Sequence, residues 1–255
     1  MMLTPKKLLF RVAVAMVLLV IVIAIGLLFG SAGHLNAGSG SEPLSLRKAL
    51  HGPTLDGVPN LHYTIYFQTR LPRLLLAALV GAALACAGVV FQAILRNPLA
   101  DPYILGISSG AGLGAIIAVI FGWSWIVMGI SAIMLTAFAG AMGTVWLVWF
   151  VGRTAGRSNI TGLLLAGVVI NAFFSAIMMF LSSIAKAGQL QTTIIWLMGN
   201  MNLPGEMGVL WAGGVIVLTG IIILLMLSNR LNMLSMGTAD ARSMGLPVEQ
   251  TCLFA

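Results

Sequence analysis

Arg70-Leu71-Pro72-Arg73, then Arg96-Asn97-Pro98-Leu99-Ala100-Asp101-Pro102, then Gly106-Ile107-Ser108-Ser109-Gly110-Ala111-Gly112-Leu113-Gly114 punctuate the most informative part of the chain. Between the first two strings, Leu74 to Leu95 carries no charged residue. At roughly 20 residues it is long enough to cross a bilayer as a helix. Two prolines then stop it, because proline lacks an amide donor and pushes the residue before it out of the helical region. Asp101 followed by Pro102 reads as an N-cap and a first helical residue, so a second helix starts there and runs back. Asn97, Pro98, Asp101 and Pro102 therefore form the turn of a tight helical hairpin. On the return helix Gly106, Gly110, Gly114, Ala118 and Gly122 recur every four residues. That spacing makes a small-residue ridge, and in lipid close packing must do what hydrophobicity does in water. Gly106, Gly110 and Gly114 are thus candidates for helix packing or for lining a pathway.

Composition sets the class. Hydrophobic residues make up 60% and charged residues 7% of the 255 residues, and mean hydropathy is +1.06, far from a soluble globular domain. The net charge of +7 sits mostly beside apolar runs, a distribution that sets membrane topology and argues against a nucleic-acid surface. Two cysteines, Cys86 inside an apolar run and Cys252 near the chain end, make no disulfide framework or metal-type spacing. The apolar run from Leu8 to Phe29 exceeds the core of a secretory signal and reads as a first membrane helix.

Apolar length gives spans near 8–30, 73–95, 103–121, 124–151, 159–185 and 207–228, about six helices in an all-α polytopic membrane protein. A barrel would need short segments of alternating polarity, which are absent from these continuous runs. With the N-terminus cytoplasmic, Lys6, Lys7, Arg11, Arg96, Arg153, Arg157, Arg230 and Arg242 lie inside, against Arg47, Lys48, Arg70, Arg73 and Lys186 outside. Residues 31–69 then form an extracytoplasmic loop, with a short helix expected from Ser45 to Leu50 and all three histidines, His34, His51 and His62. Their wide spacing matches no ligand pattern, and they read as solvated loop residues.

The turn Gly152-Arg153-Thr154-Ala155-Gly156-Arg157-Ser158 lacks phosphate-loop spacing and a preceding strand, so it reads as a basic cytoplasmic turn. Gln189 to Pro204, with Trp196-Leu197-Met198-Gly199-Asn200, is too short to span and reads as a partial helix on the outer side. The fifteen methionines read as adaptable core filler. From Arg230 to Pro247 the chain turns polar and small: Thr238 reads as N-cap, Asp240 as a first-turn acid, Gly245 as a stop and Pro247 as a breaker. This is a short cytoplasmic helix, or an ordinary linker.

Transport chemistry is narrowed by what the spans lack. No Asp, Glu, His, Lys or Arg occurs in Leu74–Leu95, Tyr103–Gly152, Ser158–Ala185 or Met207–Asn229, which leaves proton or sodium coupling without an evident carrier. No Walker motif, nucleophile triad, paired carboxylate or metal cluster is legible, so the chain is not an enzyme and binds no cofactor or metal of its own. The energy for any transport would come from a partner.

The whole string of motifs resembles the FecCD family, permease subunits of the ABC importers for iron-siderophores, haem and vitamin B12. The resemblance lies in Arg70-Leu-Pro-Arg73, Asn97-Pro-Leu-Ala-Asp-Pro102, the Gly106–Gly114 helix start, Trp196-Leu-Met-Gly199 and Ala241-Arg-Ser-Met-Gly245. It implies a type II ABC importer permease fold working as a homodimer or paired permease in the bacterial inner membrane. ATP would be hydrolysed on a separate cytoplasmic subunit and substrate delivered by an extracytoplasmic binding protein. It implies that Arg70 and Arg73 dock that protein, where the residues alone equally allow interfacial anchoring. It also implies that segment 230–248, with Asp240, Ala241, Arg242, Ser243 and Gly245, is the coupling helix that sits in a groove of the ATPase. Family members carry about ten spans, so the resemblance implies a chain truncated after the sixth. The alternatives from the residues are a secondary transporter of small lipophilic solutes, a non-transporting structural subunit and an inactive truncated permease.

Overall fold

A computed structural model describes residues 5–29, 44–55, 57–127, 130–154, 160–199, 201, 207–245 and 251. His34, Arg157, Asn200, Pro204 and Pro247 lie outside the described residues, as do the side chains of Arg153, Thr238 and Arg242. The chain forms two compact units, Met1–Ala78 and Leu79–Ala255.

The first unit holds α1 (Pro5–Leu28), the short α2 (Leu46–Ala49) and a two-residue antiparallel pair, β1 (Thr54–Leu55) and β2 (Val58–Pro59). Then comes α3 (Leu61–Tyr63), which continues as a π-helix over Thr64–Arg70 and passes without a break into α4 (Leu71–Leu95). The boundary between the units falls within α4. The helix expected from 73 thus begins at Leu61 and runs for 35 residues. Asn60, in extended conformation, supplies the start that Arg70-Leu71-Pro72 was expected to give, because its side chain accepts from the amides of His62 and Tyr63. Pro72 is tolerated because in the π-type ladder Leu71 N–H closes on the carbonyl of Tyr66, five residues back.

The second unit departs from expectation where the third span was placed. Asp101 caps as expected, its Oδ1 accepting from Tyr103 N–H at 2.9 Å, but what it caps is a 3-10 turn, Pro102–Leu105. Gly106 then takes φ +73°, a left-handed conformation that breaks the helix. α5 (Ile107–Ile120) starts only after it. Its 14 residues rise about 21 Å, short of a hydrocarbon core of about 30 Å. Beyond α5, Gly122 N–H donates to Val119 O and Trp123 N–H to Ala118 O, the paired bonds of a Schellman ending. Gly122 therefore ends the helix rather than extending the ridge. A two-residue hairpin follows, β3 (Ile126–Val127) with β4 (Ile130–Ser131), so the next helix starts at 132 and not at 124.

The remaining helices are α6 (Ala132–Thr154), α7 (Ile160–Ile184), α8 (Ala187–Leu197), α9 (Met207–Met236) and α10 (Thr238–Ser243). Among the described residues five helical stretches are long and apolar enough to cross a membrane, and α5 is a shorter apolar helix. The protein is a multi-pass, all-α membrane protein.

Within this unit α5 is the packed centre. Ser109, Gly110, Gly112, Gly114, Ala115, Ile116 and Ala118 are all buried on it, against α6 and α7 on its flanks and α8 at its side. Leu105, Val148, Ala166 and Ile170 form an apolar cluster, with Phe91, Leu163 and Phe174 against it. Hydroxyls in the spans bond back to their own helices: Thr144 Oγ1 donates to Gly140 O at 2.7 Å and Thr136 Oγ1 to Ala132 O at 2.9 Å. Such back-bonding satisfies these hydroxyls within their own helices, as lipid requires.

Candidate docking and coupling sites

Four sets of residues stand out in the sequence: the Arg70–Arg73 rim, the hairpin turn, the 230–248 segment and the glycine ridge. The rim carrying Arg70 and Arg73 belongs to the first unit and is organised by a residue that pattern reading missed. Asn60 is 3% exposed. Its Nδ2 donates to the carbonyls of Lys48 (2.8 Å) and Gly52 (2.9 Å), and its Oδ1 accepts from His62 N–H (3.1 Å) and Tyr63 N–H (3.3 Å). One side chain thus satisfies two carbonyls of the loop and two free amides of the helix start, the groups a helix N-terminus leaves unpaired. Ser45 N–H donates to His62 Nδ1 at 3.3 Å, and His51 Nδ1 donates to Arg47 O at 2.8 Å. Both histidines therefore serve the loop backbone. Among the described residues no group of three or more His, Cys, Asp or Glu is placed to hold a metal ion.

Beside this loop Arg70 is half-buried and Arg73 exposed. The Arg70 Nη1 donates to the carbonyl of Leu27 in α1 at 2.6 Å, and its Cζ lies 5.1 Å from the ring centroid of Tyr66.

The hairpin turn and the proposed coupling segment both belong to the second unit. Arg96 ends α4 with φ +51°, the sole non-glycine residue at positive φ among those described. Asn97 then builds a compact turn, accepting from Leu99 N–H at its Oδ1 (2.9 Å) and from Ala100 N–H at its carbonyl (3.0 Å). Asn97, Pro98 and Asp101 are exposed, as is Leu99 at 84%. The expected N-cap Thr238 is instead the first helical residue of α10, and Gly237 precedes it at φ +139°. A residue with a Cβ rarely adopts that backbone, so the chain turns from α9 into α10 at Gly237. Ala241 N–H closes on Gly237 O at 2.9 Å. Ala241, 0% exposed, packs on Leu234, 1% exposed, with Met233 beside them. Asp240 is an exposed first-turn acid, Ser243 Oγ donates to the Asp240 carbonyl at 2.7 Å, and Gly245 lies just past the helix end. A side chain at Gly237 would stand 3.3 Å from Asp240 Oδ2 and 3.9 Å from Arg96 Nη1. The structure therefore brings the hairpin turn and α10 together at one glycine, which the sequence reading had not singled out.

The ridge residues divide by surroundings. A methyl on Gly110 would overlap Thr144 Oγ1 and lie 2.7 Å from Gly140 O, and one on Gly114 would overlap the Thr136 carbonyl. Both face α6 at backbone contact. A methyl on Gly106 would instead face α7, 3.2 Å from both the Cβ and the backbone nitrogen of Asn171. The partial helix α8 is tied to the end of α5 by Gln189, whose Nε2 donates to the carbonyls of Val119 (3.3 Å) and Ile120 (3.0 Å).

A profile of the FecCD transport family matches residues 18–255. The hemin transport system permease protein of Yersinia pestis is 35% identical over 240 residues, which cover 93% of this chain and 67% of that protein. The cobalamin import system permease protein of Halobacterium salinarum is 35% identical over 212 residues, covering 81% of this chain and 54% of that protein. An uncharacterized ABC transporter permease protein of Bacillus subtilis is 36% identical over 196 residues, covering 74% and 54%. The chain thus spans roughly half to two thirds of the length of these curated relatives. A solved inward-facing conformation of an ABC transporter assigned to the metal-chelate type superposes with a TM-score of 0.72 at 30% identity, covering 96% of this chain and 71% of that one. With a family match that runs through nearly all of the sequence, and a fold shared with a solved ABC transporter, the chain belongs to the FecCD transport family.

Proposed function

We propose that this chain is permease sequence of an ATP-driven ABC importer that carries an iron-siderophore, haem or vitamin B12-like complex across the bacterial cytoplasmic membrane. In this reading two permeases pair around the pathway, an extracytoplasmic binding protein delivers the substrate, and ATP is bound and hydrolysed on a cytoplasmic subunit. The chain itself holds no cofactor. Its N-terminus and the Arg96–Pro102 turn face the cytoplasm, and the Arg70–Arg73 rim faces outward.

The observation that carries the reading is the elbow at Gly237. α10 is a stiff six-residue helix seated by Ala241 on the end of the 30-residue α9 and in touch with the hairpin turn. A short helix with internal hydrogen bonds passes a push to a membrane helix with little loss, since packed elements move as rigid bodies. Asp240, Arg242 and Ser243 are the residues assigned to the ATPase groove, and Ala241 and Gly245 shape the helix that presents them. The names of the relatives, hemin, cobalamin and iron chelatin permeases, support the substrate class.

The test is co-purification from membranes with a co-expressed ATP-binding subunit of a FecCD-type importer, followed by ATPase measurement in proteoliposomes. Ala241→Asp places an unpaired carboxylate against Leu234 and should abolish association and stimulated turnover. A variant that associates and stimulates as well as wild type rejects the coupling role. At the rim, Arg73→Glu should slow binding-protein docking at low ionic strength, with the difference shrinking as salt rises. Equal docking rates would reject that role.

A further inference from the structure

The two rim arginines stand three residues apart, Arg70 half-buried and Arg73 exposed. Leu27 is the next-to-last residue of α1, and its carbonyl is one of the four at a helix C-terminus that have no intrahelical donor. Arg70 Nη1 supplies that donor at 2.6 Å across 43 residues of sequence. A guanidinium suits the place: it is a charged donor at the negative end of a helix dipole, and charged hydrogen bonds are the strong ones. Its position is fixed from below by the Tyr66 ring, 5.1 Å from Cζ and 3% exposed. One turn further on, Leu74 packs on the same end of α1, its Cδ2 2.7 Å from where a Gly26 side chain would begin. The last turn of α1 closes with Phe29 N–H on Ile25 O at 2.8 Å.

We infer that Arg70 is a positioning residue: it caps α1 and pins that helix to the Leu61–Leu95 helix, so the rim that carries Arg73 has a fixed seat. The capping itself is independent of the docking reading; its effect on docking rests on that reading. Lysine is no substitute, because an ammonium lacks the planar face that lies on Tyr66.

The experiment is amide hydrogen exchange read by mass spectrometry on the full chain in lipid nanodiscs. Arg70→Gln and Arg70→Lys should each speed exchange in the last turn of α1 by about tenfold, with Arg73→Gln within twofold of wild type. Exchange in Arg70→Gln within twofold of wild type would overturn the inference, and so would an equal rise in Arg73→Gln. A second readout is affinity for the purified binding protein. Losses from Arg70→Gln and Tyr66→Leu should be non-additive, since both act through one contact, and Arg73→Gln should add to either. Additivity between Arg70→Gln and Tyr66→Leu would overturn the positioning role in docking. If exchange changes as expected but no binding protein docks even on wild type, the docking reading falls and the cap stands.

Discussion

Replacing Gly114 by alanine tests how the centre of the second unit is held together. The added methyl would overlap the Thr136 carbonyl oxygen and stand 2.7 Å from its carbon and 3.1 Å from Ala137 N. Carbon atoms rest at about 3.5–4.0 Å, so α5 and α6 would have to part by about 1 Å. Neither obstacle can swing aside, because both are backbone atoms of α6. Parting the helices also loosens the Gly110–Gly140 contact beside them, and in lipid nothing hydrophobic pulls them back. Overpacking costs about 1–3 kcal/mol, and a backbone obstacle places this substitution at about 2–3. Gly112→Ala is the matched control, since its methyl meets Met178 Sδ at 2.9 Å and Leu197 Cδ2 at 3.0 Å, both ends of flexible side chains. Its cost should stay under about 1 kcal/mol. Gly143→Ala meets nothing within 4 Å and should gain about 0.5–1 kcal/mol from helix propensity alone. Thermal unfolding in nanodiscs, at about 2–4 °C per kcal/mol, should therefore rank Gly143→Ala highest and put Gly114→Ala about 4–12 °C below wild type. If Gly114→Ala melts as high as Gly112→Ala, backbone contact between α5 and α6 is not what holds this centre.

Gly237→Ala should cost about 1–3 kcal/mol, because alanine is strained at φ +139°; faster proteolysis around residues 237–245 would report it, and wild-type resistance would contradict it. Asn60→Ala leaves two carbonyls and two amides without their partner and should destabilise the loop by about 2–3 kcal/mol, seen as faster amide exchange over 44–63 and little change over 160–184. Gln189→Ala frees the Val119 and Ile120 carbonyls and should cost about 1 kcal/mol, read as a melting shift of about 2–4 °C; an unchanged melting point would mean that the bridge between α8 and α5 contributes nothing.

Much of this architecture was legible before any coordinates, because a membrane imposes a length rule on uninterrupted apolar sequence. The spans expected at 8–30, 159–185 and 207–228 correspond to α1, α7 and α9, although α9 runs on to Met236. Short-range chemistry was equally readable. Asp101-Pro102 starts a helical turn, residues 46–49 make a short helix, Ala187–Leu197 is a partial helix and Asp240 lies in a first turn. Each depends on groups within a few residues of one another, which is the range over which sequence pattern carries information.

What escaped the sequence depends on partners far along the chain. Hydropathy counts side chains and is blind to a left-handed glycine, so it merged the Pro102–Leu105 turn and α5 into one span. The Gly110 and Gly114 spacing was visible, but not that both would meet the backbone of α6, with Gly106 turned to Asn171. Asn60 reaches back to Lys48, and Arg70 reaches Leu27. That helices cross a membrane, and where most of them lie, can be read from apolar length, since bilayer thickness and backbone hydrogen bonding act on each segment alone. Which carbonyls Arg70 and Asn60 satisfy follows instead from how distant segments pack, and that is visible only in the folded chain.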